Sequence, residues 1–202
     1  QTQSGCEPQW MQMLSDSCGP VRSCSEYQAL LSSNPGQSFL NCHECKEVPA
    51  CNGRRIRGWR PEAPWFKADQ WSTLWTEHAK RLLVDAPENE HAWLSSRVPD
   101  EHYTVNVLHS LGLNHSNHGL TKVYPFLPGM KAHPPAIDCH VPASLKTTQW
   151  MEHGVRQSAR IYTAWAATLQ DVEADGTYMF ARKFLDNCIG VLLERLRGAH
   201  SG

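Results

Sequence analysis

Apolar residues along this chain come in short bursts, broken by Gly, Pro and Cys, and their spacing switches repeatedly between the strand and helix periods. Residues 9–14 (QWMQML) read as a short buried strand, and Ser15-Asp16-Ser17-Cys18-Gly19-Pro20 as the turn after it. Ser23 and Glu26 stand at capping-box spacing, and Tyr27, Leu30 and Leu31 then predict a short amphipathic helix ended by Asn34-Pro35-Gly36. Asp69 is expected to cap a second helix in which Trp71, Leu74, Trp75, His78 and Leu82 share a face. Pro99 and Asp100 are helix-opening residues, with Tyr103, Val107, Leu108 and Leu111 on one face and Gly112 as the stop. Leu120 to Phe126 predicts a strand that Pro125 pushes toward a sheet edge, and a helix is expected around 146–160. Thr177 to Phe180 predicts a last short strand. Asp186 then caps a helix with Ile189, Leu192, Leu193 and Leu196 inward, closed by Gly198. Interleaved helices and short strands point to an α/β fold.

A chain of 202 residues is long enough for one domain with a substantial core. With 19 basic and 20 acidic residues it has no general attraction to nucleic acid. No apolar run approaches the ~20 residues needed to cross a bilayer as a helix. Six of the eight cysteines lie before residue 52, a density that favours disulfides and an oxidising compartment. A zinc site at Cys42-x-x-Cys45 is the competing reading, and a lone C-x-x-C carries little weight. The triplet Asn114-His115-Ser116 is a glycosylation sequon that suits the same compartment.

Several segments bear chemistry. An acidic pair, Asp100-Glu101, at a helix entrance can be held by backbone N–H groups and still face a cleft, as a catalytic base or as an ordinary cap. The cluster Arg54-Arg55-Ile56-Arg57-Gly58-Trp59-Arg60 is the one basic patch, either solvated or suited to a phosphate or carboxylate. Trp65 and Trp71 flank a helix start and are either core or a stacking platform for a sugar ring. Of the eleven histidines, His102 and His109 lie seven apart on one helical face, although no metalloprotease spacing is present.

Six segments, in order, resemble the core-2/I-branching β-1,6-N-acetylglucosaminyltransferases, a family that includes the peptide O-xylosyltransferases and many plant and algal relatives. Met13 to Pro20 (MLSDSCGP) resembles the family's LSESCIP turn, with Tyr27 to Ser33 after it, and Trp65 to Trp71 (WFKADQW) is similar to WRKGSQW. Pro99 to Tyr103 (PDEHY) matches the DEHY segment. Thr121 to Tyr124 followed by His133-Pro134 resembles the acceptor strand and its end. Tyr178 to Phe184 (YMFARKF) is similar to FLFARKF.

The resemblance spans about residues 9–197 but only the later part of the family's catalytic domain. It implies an incomplete GT-A-like domain with a short mixed sheet, flanking helices and a Cys-rich start. Residues 1–64 would be that Cys-rich segment, and 65–202 the acceptor and catalytic portion. An upstream segment, or a partner protein, would then cover the open sheet edge. The implied reaction is inverting, metal-independent transfer of a sugar from a UDP-sugar to an acceptor hydroxyl on a glycan or glycoprotein. The compartment would be the Golgi lumen, with an anchor upstream, or the extracellular space. On this resemblance Glu101 is the base, Lys183 and Arg182 neutralise the donor diphosphate, and Trp65, Trp71 and Tyr124 contact the acceptor. No cofactor or metal is expected. Lys122 and Pro125 stand where the family places tryptophans on the acceptor strand, a departure that also suggests a non-catalytic descendant serving as a structural or interaction subunit.

Overall fold

A computed structural model gives the fold. It describes residues 8–16, 18–47, 51, 55–56, 63–94, 96, 98–123, 137–138, 147–151, 161–165, 167–168, 176–182, 184 and 188–198. The chain folds as two compact units, residues 1–14 with 30–120, and residues 15–29 with 121–202. The expected division after residue 64 falls inside the first unit.

The first unit is built on a four-stranded sheet ordered β1-β6-β3-β7, formed by β1 (Trp10–Gln12), β3 (Ser38–Phe39), β6 (Thr73–Trp75) and β7 (His115–Ser116). β6 runs antiparallel to both β1 and β3, while β3 and β7 are parallel. A separate antiparallel ribbon joins β4 (Cys42–Glu44) to β5 (Phe66–Ala68), with Cys42 opposite Ala68 and Glu44 opposite Phe66. Helix α2 (Thr76–Leu94) follows β6 directly, and α3 (Tyr103–Ser110) follows the 3-10 turn Pro99–Glu101. Leu40, Leu74, Leu82, Trp93, Val105, Val107 and Leu108 form the core beneath them.

Two expectations are corrected here. Residues 73–75 form a strand rather than the first turn of a helix, and the helix starts at Thr76, so Asp69 caps nothing. Strand pairing wins because Thr73 and Trp75 meet Gln12 and Trp10 across the β1 ladder, and the two indoles pack edge to face at 4.6 Å. Asp100 caps no helix either. It lies in the 3-10 turn that Pro99 opens, and α3 begins after His102 with no side-chain cap. Gly112 ends that helix region as expected, at a positive φ of 65° that favours a residue without a Cβ.

The second unit holds a three-stranded mixed sheet in the order β2-β13-β8, made of β2 (Gly19–Pro20), β8 (Thr121–Val123) and β13 (Phe180–Arg182). Ala181, Phe184 and Cys188 are its buried centre, flanked by Val21, Val191 and Leu192. A Cβ on Gly19 would stand within 2.9 Å of Phe184 and Leu192, so the strand packs this closely only as glycine. The last helix, α4 (Ile189–Gly198), covers part of this centre. β9 (Ile137–Asp138) pairs in parallel with β12 (Ala167–Thr168). Where a helix was expected around 146–160, β10 (Thr147–Met151) pairs antiparallel with β11 (Ile161–Trp165). The β-branched and aromatic residues of TTQWM opposite IYTAW explain that outcome.

Helix α1 (Cys24–Ser32) is capped as its sequence predicts: the Glu26 N–H donates to Ser23 Oγ at 3.2 Å and the Ser23 N–H to Glu26 Oε2 at 2.8 Å. The architecture is a mixture of helices and strands around small mixed sheets. No helix among the described residues is long and apolar enough to cross a membrane.

Candidate functional site

The acidic pair Asp100-Glu101 sits on a ledge fixed from below by one amide. Asn106, buried in α3, accepts the Phe66 N–H at Oδ1 (2.9 Å) and donates from Nδ2 to the Phe66 carbonyl (2.7 Å) and the His102 carbonyl (2.7 Å). It thereby bolts strand β5 to the first turn of α3. The His102 ring adds a third tie, with Nδ1 at 2.8 Å from the same Phe66 carbonyl. A carbonyl can only accept, so Nδ1 carries the proton. The buried rings of Trp65, Trp93 and His102 stack around this point, with centroids 5.7 Å apart for Trp65–Trp93 and 5.1 Å for Trp65–His102.

On the ledge, the Glu101 carboxylate pairs with Lys67 Nζ at 3.4 Å. Glu101 keeps 25 % of its side-chain surface and Lys67 29 %, so water screens the pair and its net stabilisation is below about 1 kcal/mol. The pair matters more for aim than for energy: it directs a carboxylate outward from a rigid turn. Asp100 is exposed and accepts a hydrogen bond from the Gln70 amide. With Asp69 and Gln70 it lines a cavity of about 790 Å³ whose other walls include Trp93, Leu94 and Tyr103. Burial, with Asp85 as a smaller cause, pushes the Tyr103 phenol up to about 12, so it acts as a donor, here to the Leu82 carbonyl.

The expected site residues fare unequally. Trp65 is 2 % exposed with rings on both sides, so it offers no open face to a sugar. Trp71 is half-buried in the segment between β5 and β6. Arg182, half-buried at the end of β13, belongs to the second unit, and register places it beside Val123. Lys183 and Tyr124 lie outside the described residues, as do Arg54, Arg57 and Arg60 of the basic cluster. Arg55 donates to the Ala63 carbonyl at 2.7 Å, a structural role. Lys67 and Asn106 were not singled out from sequence. Lys67 lay inside a quoted motif, and only the β4-β5 pairing turns it toward Glu101.

Metal ligation finds one arrangement among the described residues: Cys45, Cys51 and His102 bring ligand atoms within 4.8 Å of one another. Cys45 and Cys51 are joined as a disulfide, which leaves no thiolate for a cation in this state. Cys42, the other half of the C-x-x-C, instead donates to Asn117 Oδ1 at 3.3 Å, and burial raises its thiol to about 11. Cys188 is disulfide-bonded as well. His109 is exposed, packing its ring against Phe66 at 4.5 Å, away from the role His102 plays.

A Ser–His contact also exists. Ser38 Oγ accepts the Trp75 N–H at 3.0 Å, which leaves its own proton for His78 Nδ1 at 2.9 Å. Ser38 is fully buried, so no substrate reaches it as a nucleophile. The pair is a satisfied core contact.

Comparison with protein-family models, with curated proteins and with solved structures returns no match. The functional reading therefore rests on the residues themselves.

Proposed function

We propose that this chain is the acceptor-side portion of an inverting, metal-independent glycosyltransferase of GT-A type, acting in the secretory pathway on a glycan or glycoprotein hydroxyl. What carries the reading is Glu101: a partly exposed carboxylate on a turn pinned by Asn106 and His102, aimed by Lys67. The ordered resemblance across the chain supports it, and the Cys45–Cys51 disulfide suits an oxidising compartment. In the reaction, the acceptor oxygen attacks the anomeric carbon while Glu101 takes its proton, and the bond to the diphosphate breaks with its electron pair leaving on the diphosphate. The resemblance alone gives Arg182 and Lys183 as the source of the positive charge that receives it.

The test is a panel of UDP-sugars with glycan acceptors, measured for binding and for transfer, on wild-type protein and Glu101→Gln. Transfer abolished with donor binding retained is the expected result. Undiminished transfer by Glu101→Gln would overturn the assignment. One observation favours the alternative of a non-catalytic scaffold: Trp65, an aromatic of the WFKADQW segment, is committed to the core. Saturable UDP-sugar binding by this chain counts against that alternative.

A further inference from the structure

The cavity beside the ledge has a chemical character of its own. Its walls include Met13, Leu83 and Leu94, large apolar side chains that remain 48 %, 73 % and 72 % exposed. Leu83 and Leu94 stand eleven residues apart on α2, three turns on one side of the helix, and so run roughly 16 Å along it. Trp93 closes the floor at 4 % exposure. Two carboxylates, Asp69 and Asp100, share the lining. Asp69 accepts from Asn41 Nδ2 at 2.6 Å, and Asp100 accepts from Gln70. A carboxylate has about four lone-pair sites, so each retains capacity after one amide donor. Among the described residues no lysine or arginine lines the cavity, and Lys67, the nearest of the described cations along the chain to Asp69, is paired with Glu101. The described lining thus combines large apolar side chains with two carboxylates. The volume falls within the range of small-molecule pockets.

We propose that this cavity binds an amphipathic cation, with an ammonium head at Asp69 and Asp100 and an apolar body along Leu83, Trp93 and Leu94. The claim concerns binding alone and stands whether or not the chain transfers sugar.

The experiment titrates the full chain calorimetrically with octylammonium, octanoate and octyl β-glucoside, three probes with one tail and different heads, each below its micelle-forming concentration. Octylammonium binds tightest, octanoate weakest. The double variant Asp69→Asn/Asp100→Asn weakens octylammonium about three- to thirtyfold, as two partly screened ion pairs require, and leaves octyl β-glucoside within about twofold. Leu83→Gln/Leu94→Gln weakens all three probes. Both positions are exposed, so these variants keep the wild-type circular dichroism and melting profile. Octanoate or octyl β-glucoside binding as tightly as octylammonium would overturn the proposal. So would an undiminished ammonium preference in the double Asn variant, or no saturable octylammonium binding at millimolar concentration. Because no donor sugar is present, failure here leaves the Glu101 test untouched, and failure of transfer leaves this one untouched.

Discussion

Asn106 is where the fold meets the site, and replacing it gives a quantitative test. In Asn106→Ala, the Phe66 carbonyl keeps the His102 Nδ1–H, and the His102 carbonyl keeps the backbone N–H of residue 106. The Phe66 N–H alone loses its acceptor. Leaving a partly buried amide unpaired costs about 1–3 kcal/mol, and the small void adds a fraction more. For a protein of this size that corresponds to a melting-temperature drop of roughly 3–10 °C if the two units unfold together. Asn106→Asp is the sharper variant. It restores the acceptor for Phe66 but turns a carboxylate toward two carbonyl oxygens in place of two N–H donors. That buried carboxylate is favoured protonated, so its folded pKa lies above the unfolded value of about 4. The unfolded state then binds fewer protons over that window, and the variant loses stability as pH rises through it and recovers on acidification. Urea unfolding at pH 5 and pH 8, with the denaturant slope checked for constancy, measures both. An Ala variant within about 0.5 kcal/mol of wild type, or an Asp variant with no excess pH dependence, refutes the claim that Asn106 bolts β5 to the ledge.

Other outcomes follow from the same contacts. His78 and His115 are held below their ordinary values, first by burial, with His115 also opposing His78 and His109 opposing His115, so both are neutral in the fold. Their contribution is fully present above the unfolded value of about 6.5 and is lost as pH falls below it; pH-dependent melting, compared with a His78→Gln/His115→Gln variant, should show a shallower acid slope in the variant. Gly119→Ala sets a Cβ 2.7 Å from the Asn41 backbone nitrogen and should cost about 1–3 kcal/mol by chemical denaturation. Ser23→Ala removes the hydroxyl half of the reciprocal cap on α1, the acceptor for the Glu26 N–H, and should cost about 1 kcal/mol, whereas Ser25→Ala, whose contact is peripheral to the cap, should cost less. Lys67→Met should leave stability within about 1 kcal/mol yet lower transfer, because it removes the aim of Glu101 rather than the carboxylate itself.

The capping box and the 103–110 helix were legible in the sequence because each is decided by neighbours a few residues away; the first strand forms where its apolar run predicts, but it is only partly buried, with Met11 exposed. The 73–75 strand was not. Trp71, Leu74, Trp75 and His78 satisfy a helical period, and the partner that overrides it, β1, lies some sixty residues upstream. The same applies to 147–151, whose partner strand follows after nine residues. Trp65 illustrates the limit for site residues: the sequence weighed platform against core, and the answer came from Trp93, twenty-eight positions away. Lys67 and Asn106 escaped notice for a similar reason. A lysine in a strand and an asparagine in a helix carry no signal until the chain brings Glu101 and Phe66 to them.

That pattern bears on how the ledge works. Its stability comes from groups that face inward, the Asn106 amide and the His102 ring, while its chemistry comes from groups that face outward, Glu101, Asp100 and Lys67. A carboxylate can remain partly exposed and still be directed only if the backbone beneath it is held by something else, because a screened ion pair is too weak to fix a turn alone. The Phe66 carbonyl receives both Asn106 and His102 and supplies that hold. Outward residues can then change with little effect on folding, and inward ones cannot. Glu101→Gln should therefore melt like wild type, while Asn106→Ala should not. If instead the two variants lose equal stability, the ledge is held by its surface charges, and the case for Glu101 as a positioned base falls with it.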